Sequence, residues 1–260
     1  MKTIVMKRLV YSLFLSLILL SFSARADEGM WLPQLLNKLN ESRMKSLGMK
    51  ISAEDIYSIN RGSLKDAVVS FGGFCTGEIV STKGLVLTNH HCGFDQIQNH
   101  SSLERNYIRD GFWAMNHAQE LPNNGLFVTF IVRIDDVTAR VMQGVTKGMK
   151  ESERQALIDK NIAEVRKSAA RLEGQDNFIR GFFEANQYYM FTTETYRDIR
   201  LVGAPPSSIG NFGKDTDNWV WPRHTGDFAL FRIYASKENK PAEYSTNNIP
   251  FTPKRALNVS

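Results

Sequence analysis

Long apolar runs are nearly absent from these 260 residues: only one occurs, at the N-terminus, and that excludes a multi-span membrane protein. Cysteine is almost missing too. The two present, Cys75 and Cys92, are too few for a structural zinc site. No internal repeat and no low-complexity segment occurs. What remains is 42% hydrophobic, 23% charged and 11% aromatic, which excludes a largely disordered chain, a collagen-like fibre and a coiled coil. The length suffices for one large domain or two small ones with a substantial core.

The one apolar run reads as an address. Lys2, Lys7 and Arg8 precede it, residues 9–24 carry no charge, and Ala24-Arg25-Ala26 matches a small-x-small cleavage site. A signal peptide over residues 1–26 is therefore expected. The alternative, a membrane anchor, needs roughly 20 apolar residues, whereas this run is shorter and interrupted by Ser12, Ser16, Ser21 and Ser23. Four of the five excess positive charges leave with the segment (Lys2, Lys7, Arg8 and Arg25), so the formal net charge falls from +5 to +1. That excludes nucleic-acid binding by bulk charge. In an exported chain the cysteine pair is most simply a disulfide, the alternative being two unrelated buried thiols.

Helix-like texture covers 31–47 and, after Ser52, 53–60. Residues 67–71 and 74–80 are β-like around Gly72-Gly73. A turn at 81–84 leads to a strand at 85–88, a hairpin with one cysteine near each outer end. Residues 103–120 return to helical texture, 125–141 alternate as a half-buried strand, and 150–186 are strongly helical with a solvated charged face. Strands are expected at 196–202 and 227–234, separated by a Pro-, Ser- and Gly-rich loop at 204–214.

Chemistry concentrates where histidine does. Only five histidines occur, at 90, 91, 100, 117 and 224, and two stand together in Thr88-Asn89-His90-His91-Cys92. A histidine beside a half-cystine at a strand end is held rigidly yet meets solvent, which suits a general base. Neighbours on a strand face opposite ways, so at most one of the pair faces a given site. A metal at the pair is disfavoured, because adjacent positions rarely converge on one ion and no run of carboxylates is near.

Strand, cysteine, hairpin and Thr-x-His-His-Cys together resemble the histidine region of chymotrypsin-type serine peptidases. On that resemblance His91 is the base, and an Asp opening a later apolar strand should follow; Asp227, before Phe228-Ala229-Leu230-Phe231, fits. Three motifs sharpen the resemblance. They are Phe71-Gly72-Gly73-Phe74-Cys75-Thr76-Gly77-Glu78, Thr88-Asn89-His90-His91-Cys92-Gly93 and Asp217-Asn218-Trp219-Val220-Trp221-Pro222-Arg223-His224-Thr225-Gly226-Asp227. With Asp27-Glu28-Gly29-Met30-Trp31, they resemble the bacterial dipeptidyl-peptidase 7/11 family, serine peptidase family S46, over residues 27–260.

The resemblance implies a mainly β fold with helical additions: a chymotrypsin-like double β-barrel, of which this chain carries the first and incomplete barrel and part of an inserted helical region. It implies a periplasmic or secreted serine exopeptidase that releases dipeptides from oligopeptides with a free N-terminus. No cofactor and no metal are implied, no membrane span remains after signal cleavage, and the complete chain is compatible with a homodimer. Matched by position, His91 is the general base, Asp227 its orienting carboxylate, and Asn218 with Trp219 part of the site for the substrate's α-amino group. The family's serine lies in a Gly-Asn-Ser-Gly-Ser-type loop, and no Gly-x-Ser-Gly occurs here; Ser207 and Ser208 lack the flanking glycines. The chain is thus expected to be an N-terminal part, inactive alone. Two rival readings are a secreted non-catalytic fragment or peptide-binding pseudo-enzyme, and a chymotrypsin-like endopeptidase. Whether acidic or hydrophobic residues are preferred beside the scissile bond is not legible in these residues.

Overall fold

Two glycines with left-handed backbone, Gly72 (φ 62°) and Gly73 (φ 84°), turn the chain between strands β1 (Val68–Phe71) and β2 (Cys75–Ile79). The computed structural model describes residues 31–213 and 224–254. The expected signal peptide, together with Asn218 and Trp219, lies outside the described residues. After β2, the Ser81 hydroxyl accepts from the Lys83 and Leu85 N–H groups (3.2 and 3.1 Å) and delivers the chain into β3 (Leu85–Thr88).

The remaining strands are β4 (Phe112–Trp113), β5 (Leu121–Pro122), β6 (Val128–Asp136), β7 (Gln175–Phe182), β8 (Gln187–Tyr196), β9 (Asp198–Ala204), β10 (Ala229–Ala235) and β11 (Ile249–Pro250). All pair antiparallel in one eleven-stranded sheet of order β4-β9-β10-β3-β2-β1-β6-β8-β7, with β5 also on β9 and β11 on β10. The mainly β expectation therefore holds.

Although β6 and β9 are separated by four strands in that order, both feed one core. Val69, Phe71, Ile79, Val86, Val128, Phe130, Ile199, Leu201, Phe231 and Ile233 form a single buried cluster, so the sheet curls around it. Arg197 alone links β8 to β9, which carries the chain from one side of the curl to the other. At its centre the Phe71 and Phe231 rings lie 4.8 Å apart, tilted at 56°. Such a pair contributes about 0.5–1.5 kcal/mol beyond the area it buries.

The helix Glu151–Ser168 forms a second cluster, laying Ile158 and Val165 on Val137, Val141, Tyr188 and Met190. Asn161 fastens it by donating to the Val141 and Gln143 carbonyls at 2.8 and 2.9 Å. Ile158, Asn161 and Val165 are its buried residues, which leaves the charged face in water.

Three expectations need correction. The helical texture of 150–186 ends at Ser168, and Gln175–Phe182 is strand because Phe178 and Phe182 pack their rings against Phe191 on β8. Residues 103–120 hold only the one-turn helix Tyr107–Asp110, the 3-10 turn His117–Gln119 and β4. There the apolar residues serve the sheet: Tyr107 packs on Phe112, and β4 extends β9. The expected helix at 53–60 stops at Ile56, although its Ser52/Asp55 capping box forms: the Ser52 hydroxyl accepts from Asp55 N–H at 3.1 Å, and Asp55 accepts from Ser52 N–H at 2.9 Å. The Ser52 N–H and hydroxyl, both donating to the Asp55 carboxylate, together with Arg61, hold that carboxyl far below the usual carboxylate range.

Glu120 ties the segment before β5 to β10. Its buried carboxylate accepts from Arg232 Nε (2.8 Å), the Tyr234 hydroxyl (2.8 Å) and His117 Nδ1 (3.0 Å). Burial, and next the Glu120 contact, hold the Tyr234 phenol above its ordinary value.

Candidate active site

The ladder between β3 and β10 ends at the pair Thr88↔Ala229. Beyond that pair one strand runs on into Asn89, His90 and His91, and the other is entered through Asp227 and Phe228. Two segments 136 residues apart in sequence thus overhang the same end of the sheet. Asp227 stands two residues before β10 begins, just outside the strand it was expected to open.

His91 Nδ1 lies 2.8 Å from Asp227 Oδ2, and the His91 main-chain N–H donates to Oδ1 at 3.2 Å. Asp227 is a pure acceptor, so the short contact places the imidazole proton on Nδ1 and leaves the Nε2 lone pair free. The His91 side chain is 66% exposed and that of Asp227 17%. The imidazole therefore meets solvent while its partner is shielded.

His91 starts a 3-10 turn, His91–Gly93, in which Cys92 N–H donates to Asn89 O and Gly93 N–H to His90 O. Cys92 is bridged to Cys75 at the start of β2, with Cα atoms 6.1 Å apart, so the expected disulfide is present. The sulfurs and the His91 ring lie within 4.8 Å of one another, a spacing that suits an ion. With both sulfurs joined to each other neither offers a thiolate, the form that binds metal.

His90 is the opposite of its neighbour. Its backbone is already helical (φ −59°, ψ −44°), so the division of labour comes from a turn rather than from strand alternation. The ring is fully buried, and neither nitrogen has a hydrogen-bond partner among the described residues. Burial pushes its pKa down, against the attraction of Asp227. The ring abuts Gly210, where a Cβ would come within 2.4 Å of Cγ and Cδ2. Gly210 ends the short helix Ser207–Gly210. The adjacent Ile209 carbonyl accepts from Gly226 N–H (2.9 Å) and the Thr225 hydroxyl (3.1 Å), directly before Asp227.

Ser207 Oγ is buried and has no hydrogen-bond partner among the described residues, so it is not paired with His91 as an activated serine would be. Of the other histidines, His100 bonds Asn123 Oδ1 at 3.0 Å and His117 bonds Glu120. Sequence reasoning quoted Asn89 within its motif without giving it a part. The structure shows its side-chain amide against Asp227, donating to Oδ2 at 3.1 Å and to the main-chain carbonyl at 3.2 Å. The roles of Thr225, Ile209 and Gly210 were equally unforeseen.

A histidine oriented by a shielded carboxylate, beside a disulfide, is an arrangement that can serve general-base chemistry. A family model described as peptidase S46 matches residues 26–260. The chain belongs to the peptidase S46 family. Among S46 relatives, the Asp/Glu-specific dipeptidyl-peptidase of Flavobacterium psychrophilum is 59% identical over 248 residues, covering 95% of this chain and 35% of the relative. Dipeptidyl-peptidase 7 of Capnocytophaga gingivalis is 47% identical over 256 residues, covering 98% and 36%. The crystal structure of Porphyromonas endodontalis DPP11 matches with a TM-score of 0.81 at 52% identity, covering 89% of this chain and 34% of that one. The same protein has been solved in complex with the dipeptide Arg-Asp. The chain spans about a third of the length of the curated relatives it matches. The antiparallel sheet with added helices agrees with these S46 structures, and among the described residues no helix is long and apolar enough to cross a membrane.

Proposed function

We propose that this chain supplies the base and its orienting carboxylate to an exported serine exopeptidase that releases dipeptides from free peptide N-termini. The contact between His91 Nδ1 and Asp227 Oδ2 at 2.8 Å carries the reading. His91 Nε2 takes the proton of the attacking serine and later returns it to the leaving amine; Asp227 keeps the tautomer and stabilises the imidazolium. The nucleophile and the donors for the oxyanion belong to the part of the relatives that this chain does not span, so these 260 residues alone form no acyl-enzyme. The curled sheet serves as the first barrel of a chymotrypsin-like pair. Asn218 and Trp219 hold the substrate ammonium through an amide oxygen and an indole face. Residues 1–26 direct export to the periplasm or beyond. Higher identity to the Asp/Glu-specific relative than to the dipeptidyl-peptidase 7 relative supports an acidic preference at the scissile bond.

The test combines fluorophosphonate labelling of the complete gene product with hydrolysis of acidic peptides, free or acetylated at the N-terminus. Labelling and release from the free peptides alone are expected. His91→Ala should abolish release, and Asp227→Asn should lower kcat by about 10⁴-fold, as loss of the orienting carboxylate does in this mechanism. Cleavage of acetylated peptides would make the protein an endopeptidase. Absence of labelling and of release would leave a non-catalytic peptide binder.

A further inference from the structure

We propose that Asn89 is a positioning residue that sets the rotamer of Asp227 against His91; this rests on reading His91 as the base. Beyond the last ladder pair, Thr88↔Ala229, Asp227 O has no strand partner, and the Asn89 side chain takes the place of one. The same amide nitrogen reaches Asp227 Oδ2. Both partners are acceptors only, so the orientation of the amide is settled: turned over, its oxygen would face two oxygens.

One group therefore grips Asp227 at both ends of its side-chain torsion, main-chain carbonyl and carboxylate. The two carboxylate oxygens then have separate tasks. Oδ1 accepts from His91 N–H, and Oδ2 is shared between Asn89 and His91 Nδ1. Without the Asn89 clamp the carboxylate can turn about its terminal bond and lose the alignment on Nδ1. The donated N–H dipole also stabilises the carboxylate charge without adding a competing one. Asn89 is exposed, so its removal leaves the core intact.

Asn89→Asp separates this role from mere space-filling. Aspartate is nearly isosteric with asparagine but offers no donor when ionised, and it puts a second negative charge beside Asp227. A steric role predicts Asn89→Asp as the mildest replacement and Asn89→Ala as worse; a donor role predicts Asn89→Asp at least as damaging as Asn89→Ala. In the complete gene product, both variants should lower kcat by about 10- to 100-fold, the scale of a small misplacement near the chemistry, with KM within about twofold. Asn89→Asp should recover relative to wild type as pH falls, because the introduced carboxyl regains a donor once it is protonated.

The second readout does not need turnover. A far-downfield proton resonance from His91 Nδ1–H, assigned by its loss in His91→Ala, should vanish in Asn89→Ala and Asn89→Asp. If both variants keep this resonance, or if Asn89→Asp matches wild type in kcat and pH profile, the proposal is overturned. A wild-type protein without peptidase activity would refute the reading of His91 as base, and the resonance would still decide the clamp.

Discussion

Gly210→Ala should destabilise the protein and slow it, although alanine is the better helix former. Gly210 has ordinary backbone angles for any residue, so the usual gain from shortening the unfolded ensemble, about 0.4–1 kcal/mol, is available. Against it stands the buried His90 ring, with Cγ and Cδ2 at 2.4 Å and Nε2 at 2.9 Å from the new Cβ. Ordinary carbon contacts are about 3.5–4.0 Å, so ring or helix must yield by about 1 Å. Overpacking of this kind costs about 1–3 kcal/mol, giving a net loss centred on about 1.3 kcal/mol and at most about 2.6 kcal/mol. If the helix yields, the Ile209 carbonyl leaves Thr225 and Gly226, and Asp227 is displaced from His91. Urea unfolding should show a lower midpoint at unchanged slope, and kcat should fall at least about tenfold, since a 1 Å misplacement can cost about 100-fold. A variant as stable as wild type with full activity would mean that His90 turns aside freely, which refutes the argument that it is a wedge.

Replacing both Cys75 and Cys92 by Ser removes a staple across a sequence separation of 17, worth about 3 kcal/mol in the chain-entropy model; a loss below about 1 kcal/mol in urea unfolding would contradict it. The depressed pKa of His90 makes the folded protein bind fewer protons than the unfolded chain below the unfolded value near 6.5. Stability should therefore fall as pH drops from about 6.5, by at most about 1.4 kcal/mol for each unit of depression, and His90→Phe should flatten that slope in melts from about pH 7.5 to 5. Parallel slopes would show that His90 does not cause it. Phe183, Glu184 and Ala185 all have left-handed backbone at the β7–β8 turn (φ 52°, 58° and 61°), so Glu184→Gly should stabilise by about 0.5–1 kcal/mol in thermal unfolding. A lower midpoint would refute that.

The first three strands were legible because turn residues punctuate them: Gly72-Gly73 and the Ser81–Gly84 turn leave short runs with little choice of register. β8 left no such trace. Tyr188 and Met190 face the long helix while Tyr189 and Phe191 meet the aromatic rings of β7, so both faces are apolar and no alternation marks the strand. β7 was hidden for the opposite reason: Gln175, Asp176 and Asn177 continue the polar texture of the preceding helix, and only pairing with β8 makes them strand. β4 and β5, at two residues each, are products of their contact with β9 and carry no period to read. Within the site, the cysteine pair followed from its count in an exported chain, and the motif resemblance singled out His91 and Asp227. It could not bring out Asn89, whose part depends on two acceptors 138 positions away, or Gly210, which matters only because a buried ring abuts it.

The pair of His91 and Asp227 is a consequence of sheet register, and this explains why so many fasteners gather around it. In an antiparallel ladder a slip of one residue turns every side chain to the other face, so Thr88↔Ala229 must be held if the overhanging ends are to meet. Phe231 and Val86, buried on adjacent strands, fix that register from the core. Past the last pair the core has no further hold, and each end is secured separately: the disulfide and the 3-10 turn grip His91, while the Ile209 carbonyl grips the approach to Asp227. Among the described residues, Asn89 joins the two ends through its side chain as His91 does. Shielding Asp227 while exposing His91 follows from the same arrangement. The carboxylate is enclosed by the segments that hold it, and the imbalance leaves the imidazole edge as the part of the pair presented to solvent.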